Sequence, residues 1–252
     1  MEAGFMRESV WNGYRRLDFE FDGRPAILVM PDQSRSPGVL AVKTEYWEDQ
    51  PVIEVELLRR GFHIAFIQNI NRWGLEEDID RKASFIRFLA SEYELSERAA
   101  LIGVSCGGLI AIKLAARHPD CVSVMYLDAP VLNYMSCPCG FGTAESLDRG
   151  AGINEILEAL RLDTISQLLC YREMPMHQLD RLVKHQIPVI MVAGDSDQVV
   201  PYLENGIMLE EAYREAGLTF ERHMKPGCDH HPHGLDDPEP ILRFLEQQAT
   251  LI

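Results

Sequence analysis

The chain has 252 residues, of which 46% are hydrophobic and 25% are charged, a composition that suits a globular protein with a full core. Its formal net charge of −15 argues against a nucleic-acid or anionic-membrane partner, because phosphate groups would be repelled. No segment approaches 18 consecutive uncharged apolar residues, so the sequence predicts no membrane-spanning helix.

Two features of the sequence, its N-terminal residues 1–16 and its cysteines, indicate the cellular compartment. Residues 1–16 lack the apolar stretch of a secretory signal, so we expect none there. The six cysteines form no pair of CxxC elements, which favours reduced thiols and a cytoplasmic location. Cys137 and Cys139 flank a proline as half of a metal or redox site would, but no second ligand pair is near, so no metal is predicted there.

The next part of the chain changes from a hairpin to alternating strands and helices. Residues 17–30 predict two strands joined at Asp22-Gly23, a dipeptide typical of tight hairpin turns. The further predicted strands are 38–42, 62–67, 99–104, 121–127, 188–193 and 218–224, and the predicted helices are 51–60, 76–91, 107–117, 203–216 and 238–247. Such alternation indicates a mostly parallel α/β sheet, here of eight strands, with helices on both faces.

One interval breaks this alternation. About sixty residues separate Asp128, after the sixth predicted strand, from Pro188, at the start of the seventh. That is too long for a simple crossover, and it includes a helical stretch near 153–170. We therefore predict a single domain over residues 1–252 that carries a small cap insertion at about 131–186.

Ser105 stands between an apolar strand and a run of helix formers, within the segment LIGVSCGGLI at 101–110. Gly103 and Gly107 lie two residues to either side, which is the G-x-S-x-G spacing of a nucleophile elbow. Because glycine has no Cβ, strand and helix can pack closely around a serine whose hydroxyl projects from the sheet. The alternative is a glycine-softened turn whose serine only caps the helix.

A serine nucleophile needs a base, and the base needs an acid that orients it. Asp197 follows the predicted strand 188–193, and His230 follows the predicted strand 218–224. Both loops leave the carboxyl ends of parallel strands, where catalytic groups gather in open α/β sheets. The chain order Ser105, Asp197, His230 therefore predicts a catalytic triad.

Each partner of the serine has rivals that the sequence leaves open. Asp128 is the alternative acid, and its other role would be to anchor a loop under the cap. His231 and His233 are alternative bases that could instead orient the loop or line the pocket. A metal site formed by Asp229 and the three histidines would leave the elbow without a purpose, so we predict no metal and no cofactor.

Acyl transfer also requires donors for an oxyanion. The backbone N–H of Cys106, the residue after the nucleophile, is the first predicted donor. The second should come from the loop after strand 38–42, where we expect the N–H of Thr44 or, alternatively, of Glu45. The aromatic residues expected as pocket walls are Tyr46, Trp47 and Trp73, and the alternative for each is ordinary packing in the core or on the surface.

Over nearly its whole length the chain resembles the α/β-hydrolase superfamily, with an elbow after the fifth strand, a cap after the sixth, an acid after the seventh and a histidine after the eighth. The segments YLDAP (126–130) and KPGCDHHPHGLDDPEPILRF (225–244) resemble a bacterial group of esterase-like serine hydrolases with a GHHPHGL-type C-terminal segment. The resemblance implies ester hydrolysis, including deacylation of sugars. Members of that group usually carry an arginine after the nucleophile, where this chain has Cys106, so a nearby positive charge is expected to be missing.

The sequence thus predicts a serine hydrolase of small carboxylic esters, whose partner is its ester substrate. The predicted cap has Glu155, Glu158 and Arg161 among its apolar residues, unlike the broad apolar lid of a lipase, so we expect short acyl chains. One alternative is a serine peptidase, for whose usual additional β-domain 252 residues leave no room. The other is a ligand-binding homologue without catalysis, and no oligomeric state is predicted.

Overall fold

The computed structural model describes residues 6–33, 38–144 and 151–249. Within this part of the chain, nine strands form one sheet: β1 (Arg7–Trp11), β2 (Tyr14–Phe21), β3 (Arg24–Met30), β4 (Val39–Lys43), β5 (Phe62–Ile67), β6 (Ala99–Val104), β7 (Val122–Asp128), β8 (Val189–Gly194) and β9 (Phe220–Lys225). The eight α-helices of the same residues are α1 (Val52–Arg59), α2 (Glu76–Tyr93), α3 (Cys106–Arg117), α4 (Ala151–Ala159), α5 (Ile165–Leu169), α6 (Leu179–His185), α7 (Gly206–Ala216) and α8 (Glu239–Ala249).

The sheet is mixed, with the strand order β1-β2-β3-β5-β4-β6-β7-β8-β9. Its N-terminal part is antiparallel, since β1 pairs with β2, β2 with β3 and β3 with β5. From β5 to β9 every pairing is parallel. The predicted mostly parallel sheet with an N-terminal hairpin is therefore confirmed, although the described sheet has one strand more than the eight expected.

The additional strand is β1, at the edge of the sheet. Among its five residues only Trp11 is buried, so the strand lacks the apolar alternation by which strands are found in a sequence. Asn12 and Gly13 join it to β2 with φ values of +50° and +88°. A tight hairpin turn requires positive φ at both central residues. The Asn-Gly pair was therefore the signal in the sequence from which this first hairpin could have been predicted.

Helices cover both faces of the sheet. Strands β4, β6, β7 and β8 are buried along their whole length, as expected for parallel strands with cover on each side. One hydrophobic cluster joins the sheet to α2, α3, α6 and α7, and a second joins it to α1 and α8. None of the described helices is both long and apolar enough to cross a bilayer.

The segment between β7 and β8 contains α4, α5 and α6. Helix α6 packs against α3 and α7, so it lies in the helical layer on that face of the sheet. Helices α4 and α5 contact each other and bury Ile156 and Leu168 in the same cluster. The division into one domain with a cap at 131–186 stays a prediction, and residues 145–150 of that cap lie outside the described residues.

Candidate active site

Ser105 lies on the turn between β6 and α3 with φ of +52° and ψ of −117°. A positive φ is unfavourable for a residue with a Cβ, and such strain is concentrated at functional sites. The Ser105 N–H donates to the carbonyl of Asp128 at 2.8 Å, and the Ser105 carbonyl accepts from the N–H of Val131 at 3.2 Å. The end of β7 and its loop therefore hold the serine in this conformation.

Close packing around the turn requires Gly103, Gly107 and Gly108. A Cβ on Gly103 would lie 2.8 Å from the carbonyl oxygen of Gly107, and a Cβ on Gly107 would lie 3.0 Å from Oγ1 of Thr44. A Cβ on Gly108 would lie 2.5 Å from Cβ of Pro130. Gly108 is thus needed as much as the two glycines of the motif, because the loop after β7 contacts the start of α3.

Ser105, His230 and Asp197 form one hydrogen-bonded line. Oγ of Ser105 lies 3.1 Å from Nε2 of His230, and Nδ1 of His230 lies 2.8 Å from Oδ2 of Asp197. The other oxygen of Asp197 accepts the N–H groups of Val199 and Val200 at 2.9 and 2.7 Å. When Nδ1–H donates to the carboxylate, Nε2 of the neutral ring can accept the serine proton.

Asp229 joins the loop after β9 to the loop after β8. Its Oδ1 accepts the N–H of Gln198 at 2.9 Å and the N–H of His230 at 2.8 Å. These two bonds, the first above all, hold the pKa of Asp229 below its usual range. The residue that the sequence grouped with the histidines as a possible metal ligand therefore positions the backbone of His230.

A second aspartate–histidine pair lies beside the first. Oδ1 of Asp128 lies 2.9 Å from Nδ1 of His233, and its Oδ2 accepts the hydroxyl of Tyr126 at 2.9 Å and the N–H of Gly234 at 2.6 Å. Both side chains are almost fully buried. Asp128 thus anchors the histidine loop to β7, and of the two candidate acids it is Asp197 that contacts His230.

The two expected oxyanion donors differ in availability. Cys106 is the first residue of α3, and its N–H is among the helix-terminal donors that lack an intrahelical acceptor. The N–H of Thr44 instead donates to the carbonyl of Ile102 at 3.1 Å, and its hydroxyl donates to the carbonyl of Gly107 at 2.7 Å. This corrects the expectation of Thr44 as a donor, and Glu45, whose N–H lies near Gly107, becomes the candidate.

A cleft of about 240 Å³ opens at Ser105. Two of the three aromatic residues expected as its walls, Tyr46 and Trp73, line it. Trp47 does not belong to the cleft, since its ring centre lies 4.9 Å from that of Trp11 and it belongs to the cluster on the other face of the sheet. The remaining residues that line the cleft are Asp49, Arg72, Cys106, Cys137, Val199, His230, His231 and His233.

Arg72, on the loop after β5, brings a positive charge into the cleft. Its Nε and Nη2 donate to Oε1 of Glu155 at 3.0 and 2.6 Å, and its guanidinium lies 5.1 Å from the ring centre of Trp73. Burial opposes the charged form, but nearby Cys106 and the bonds to Glu155 raise the pKa of Arg72 overall. Because Arg72 lines the same cleft as Ser105, the expectation that a nearby positive charge is missing is wrong. The available signal was that this loop also follows a parallel strand.

Two buried lysines hold the loop that carries Arg72. Nζ of Lys82 donates to the carbonyl of Ile67 at 2.8 Å, and Nζ of Lys113 donates to the carbonyl of Gly74 at 2.5 Å. Burial lowers the pKa of each lysine to about 8. Because the loop is tied at both ends, Arg72 is presented to the cleft from a fixed backbone.

Comparison with solved structures shows the same fold at low identity. The acylaminoacyl peptidase of Pyrococcus horikoshii is 13% identical with a TM-score of 0.69, and the match covers 100% of this chain and 43% of that one. Dipeptidyl peptidase 4 of Porphyromonas gingivalis is 16% identical with a TM-score of 0.65, covering 98% and 36%. Est1E of Butyrivibrio proteoclasticus is 17% identical with a TM-score of 0.63, covering 96% and 98%.

These likenesses show the fold alone, and it is the α/β-hydrolase fold that the sequence predicted. The chain spans less than half the length of the two peptidases and nearly the whole of Est1E. A family model covers most of the chain, from residue 61 to residue 250, and so includes Ser105, Asp197 and His230. The chain therefore belongs to the prolyl oligopeptidase family of serine hydrolases.

Proposed function

We propose that this protein hydrolyses small carboxylic esters through an acyl-enzyme formed on Ser105. The observation that carries the proposal is the hydrogen-bonded line of Ser105, His230 and Asp197, of which Ser105 and His230 line a cleft of about 240 Å³. Pockets for drug-sized ligands enclose about 300 to 1,000 Å³. A smaller cleft favours a short acyl group over the side chains of a peptide.

In the acylation step, Ser105 transfers its proton to Nε2 of His230 as Oγ attacks the ester carbonyl. Asp197 accepts from Nδ1–H and stabilises the imidazolium that forms. The amides of Cys106 and Glu45 are the proposed donors to the oxyanion. His230 then donates its proton to the oxygen of the leaving alcohol, and the acyl group remains on Ser105.

Deacylation repeats these transfers with water. His230 accepts a proton from a water molecule that attacks the acyl carbon, and a second oxyanion forms in the same place. The proton then returns to Oγ of Ser105 as the carboxylic acid leaves. Each half of the cycle uses the same ring nitrogen, so the reaction needs no cofactor.

The polar residues that line the cleft favour a substrate whose alcohol part is also polar. Arg72 and Asp49 line the cleft together with apolar residues such as Val199, so hydrogen-bonding groups are available to a hydroxyl-bearing leaving group. Acetylated sugars, which the C-terminal resemblance implied, have such groups. We therefore include them among the proposed substrates.

A peptidase activity is the second candidate, and the observation in its favour is the family match itself. Hydrolysis of an amide would use the same triad, with His230 donating its proton to a leaving amine. The two peptidases extend far beyond the matched region, so what those longer proteins cleave does not transfer directly to this chain.

A fluorophosphonate probe tests the proposed nucleophile. The probe should label the wild-type protein on Ser105, because it reacts with activated serines, and should not label Ser105→Ala. The alanine variant is expected to fold normally, since it only removes a hydroxyl from the turn. A wild-type protein that stays unlabelled would contradict hydrolysis and support a ligand-binding role.

A substrate panel then separates ester from peptide hydrolysis. The kcat/KM values of short-acyl aryl esters and acetylated sugars, each divided by the rate constant of uncatalysed hydrolysis, are compared with those of aminoacyl and dipeptidyl anilides, because aryl esters are intrinsically more reactive than anilides. We expect the esters to be the better substrates, with Ser105→Ala as the control for background reaction. Faster cleavage of the dipeptidyl anilides would replace the ester proposal with the peptidase candidate.

A further inference from the structure

Three histidines of the loop after β9 converge at the cleft. One ring nitrogen from each of His230, His231 and His233 lies within 4.8 Å of the other two. The ring centres are 4.9, 5.0 and 4.6 Å apart, and all three residues line the same cleft as Ser105. The triad uses only one of these rings, so the other two need a separate explanation.

Two of the rings are held as metal-ligating imidazoles usually are. Nδ1 of His230 lies 2.8 Å from Asp197, and Nδ1 of His233 lies 2.9 Å from Asp128. A carboxylate that accepts from Nδ1–H leaves the lone pair on Nε2 and orients the ring, which is the common support for a metal-bound histidine. Each of these two histidines therefore offers Nε2 as the ligand atom.

We propose that this histidine cluster binds a divalent transition-metal ion, best Zn²⁺, through one nitrogen from each of the three rings. Zn–N bonds are about 2.0–2.1 Å long in a tetrahedral site, so the three rings, whose centres are 4.6 to 5.0 Å apart, must move closer together when the ion binds. His231 is the exposed member of the cluster, so we assign most of this movement to its ring. Asp49, which lines the same cleft, or water is available for the fourth position.

An ion in this position inhibits the proposed hydrolase and is not its cofactor. Nε2 of His230 is the atom that would accept the proton of Ser105, and the two atoms are 3.1 Å apart. A metal ion on that nitrogen occupies the same lone pair, so metal binding and proton transfer exclude each other. This inhibitory part rests on the proposed function, whereas metal binding itself does not.

Binding is measured on Ser105→Ala without any substrate, by the visible absorption of added Co²⁺ and by competition for Zn²⁺ with a chromophoric chelator. Replacing His231 or His233 by alanine should weaken Zn²⁺ affinity about tenfold or more. His223→Ala is the matched control, because that histidine lies on β9 and contacts Glu221 instead of the cluster. His231→Ala is the decisive variant, since loss of His233 also breaks the bond to Asp128 and its unfolding must be checked.

Nearby thiols provide a second control for the ligand set. Cys137 lines the cleft, and Sγ of Cys228 lies 3.7 Å from the carbonyl of His231. Cys137→Ser and Cys228→Ser should bind Zn²⁺ as the parent does, and the Co²⁺ complex should lack thiolate absorption in the near ultraviolet. Affinity that is lost in a serine variant but kept in His231→Ala would overturn the proposal.

The inhibitory part is tested on the wild-type protein by fluorophosphonate labelling of Ser105 at increasing Zn²⁺. Labelling should fall as the metal binds and return when a chelator is added. If the histidines bind Zn²⁺ and labelling does not change, inhibition at this site is wrong. If the metal-free protein is never labelled, the proposed function fails, while the binding measurements still test the metal site.

Discussion

The two aspartate–histidine pairs at the carboxyl end of the sheet have the same chemistry but different surroundings. Asp197 follows β8 and Asp128 ends β7, and each contacts Nδ1 of a histidine from the loop after β9, at 2.8 and 2.9 Å. The pairs differ at the far ring nitrogen. Nε2 of His230 contacts Oγ of the proposed nucleophile, Ser105. The pair of His233 and Asp128 instead holds the loop after β9, because Asp128 also accepts the N–H of Gly234.

The remaining bonds of each carboxylate explain this difference. Asp197 accepts the N–H of Val199 and Val200, which are part of its own turn, so those bonds orient the carboxylate itself. Asp128 accepts groups from Tyr126 and Gly234, which belong to the strand and to the histidine loop. A buried aspartate–histidine pair is therefore not in itself a sign of catalysis, because the third partner decides its role.

Replacing the two histidines separately should give the largest contrast. His230→Gln removes the proposed base and should lower kcat about a millionfold, as loss of a triad histidine does elsewhere. His233→Gln keeps a side-chain N–H that can donate to Asp128, so its kcat should stay within about tenfold of wild type. Both values are measured with a short-acyl aryl ester, and similar losses in the two variants would refute the assignment of His230.

The two acids should differ almost as much in activity. Asp197→Asn favours the wrong tautomer of His230 and should lower kcat about ten-thousandfold. Asp128→Asn leaves the bond between His230 and Asp197 in place, so its effect on kcat should be far smaller. Single-turnover rates with the same ester would check this order, and a reversed order would make Asp128 the catalytic acid.

Asp128→Asn should act mainly on stability. The amide group places a donor opposite the hydroxyl of Tyr126 or the N–H of Gly234, and a buried unsatisfied group costs about 1–3 kcal/mol in free energy of unfolding. Tyr126→Phe, which removes one donor and no charge, is the matched control and should cost less. Urea unfolding followed by fluorescence measures both, and unchanged stability in Asp128→Asn would argue against an anchoring role.

Changing the acyl-chain length of the substrate should change kcat/KM less than the substitutions described above. We expect kcat/KM to be highest for acetyl to butyryl aryl esters, because a cleft of about 240 Å³ cannot enclose long chains. A methylene is worth about 1 kcal/mol, so neighbouring lengths should differ by at most about tenfold. The measurement uses a series of aryl esters with acyl chains of about two to twelve carbons. A maximum at about eight carbons or more, or activation by a lipid interface, would contradict this preference.

The same series in His233→Gln tests whether the second pair shapes the cleft. His233 lines it, so replacing its ring by a smaller, non-aromatic side chain should shift the preferred length while the reaction itself continues. The readout is the ratio of kcat/KM for butyryl and octanoyl esters. An unchanged ratio would mean that the pair of Asp128 and His233 stabilises the fold but does not shape the cleft.

The sequence by itself determined the features that depend on short stretches of chain. Alternating strands and helices predicted the parallel sheet, because backbone periodicity and turn preferences act over a few residues. The elbow around Ser105 was recognisable for the same reason, since Gly103 and Gly107 act on the turn they flank. Strand β1 was not predicted, because an edge strand in which only Trp11 is buried has no such periodicity.

Only the tertiary structure decided which of several suitable groups meet. β7 and β8 are neighbours, so Asp128 and Asp197 both reach the histidine loop, and the choice between them depends on distances that no local pattern encodes. The N–H of Thr44 is directed at Ile102 because β4 pairs with β6, and Arg72 lines the same cleft as Ser105 because β5 lies beside β4. These contacts arise from strand order, which joins residues that are distant along the chain.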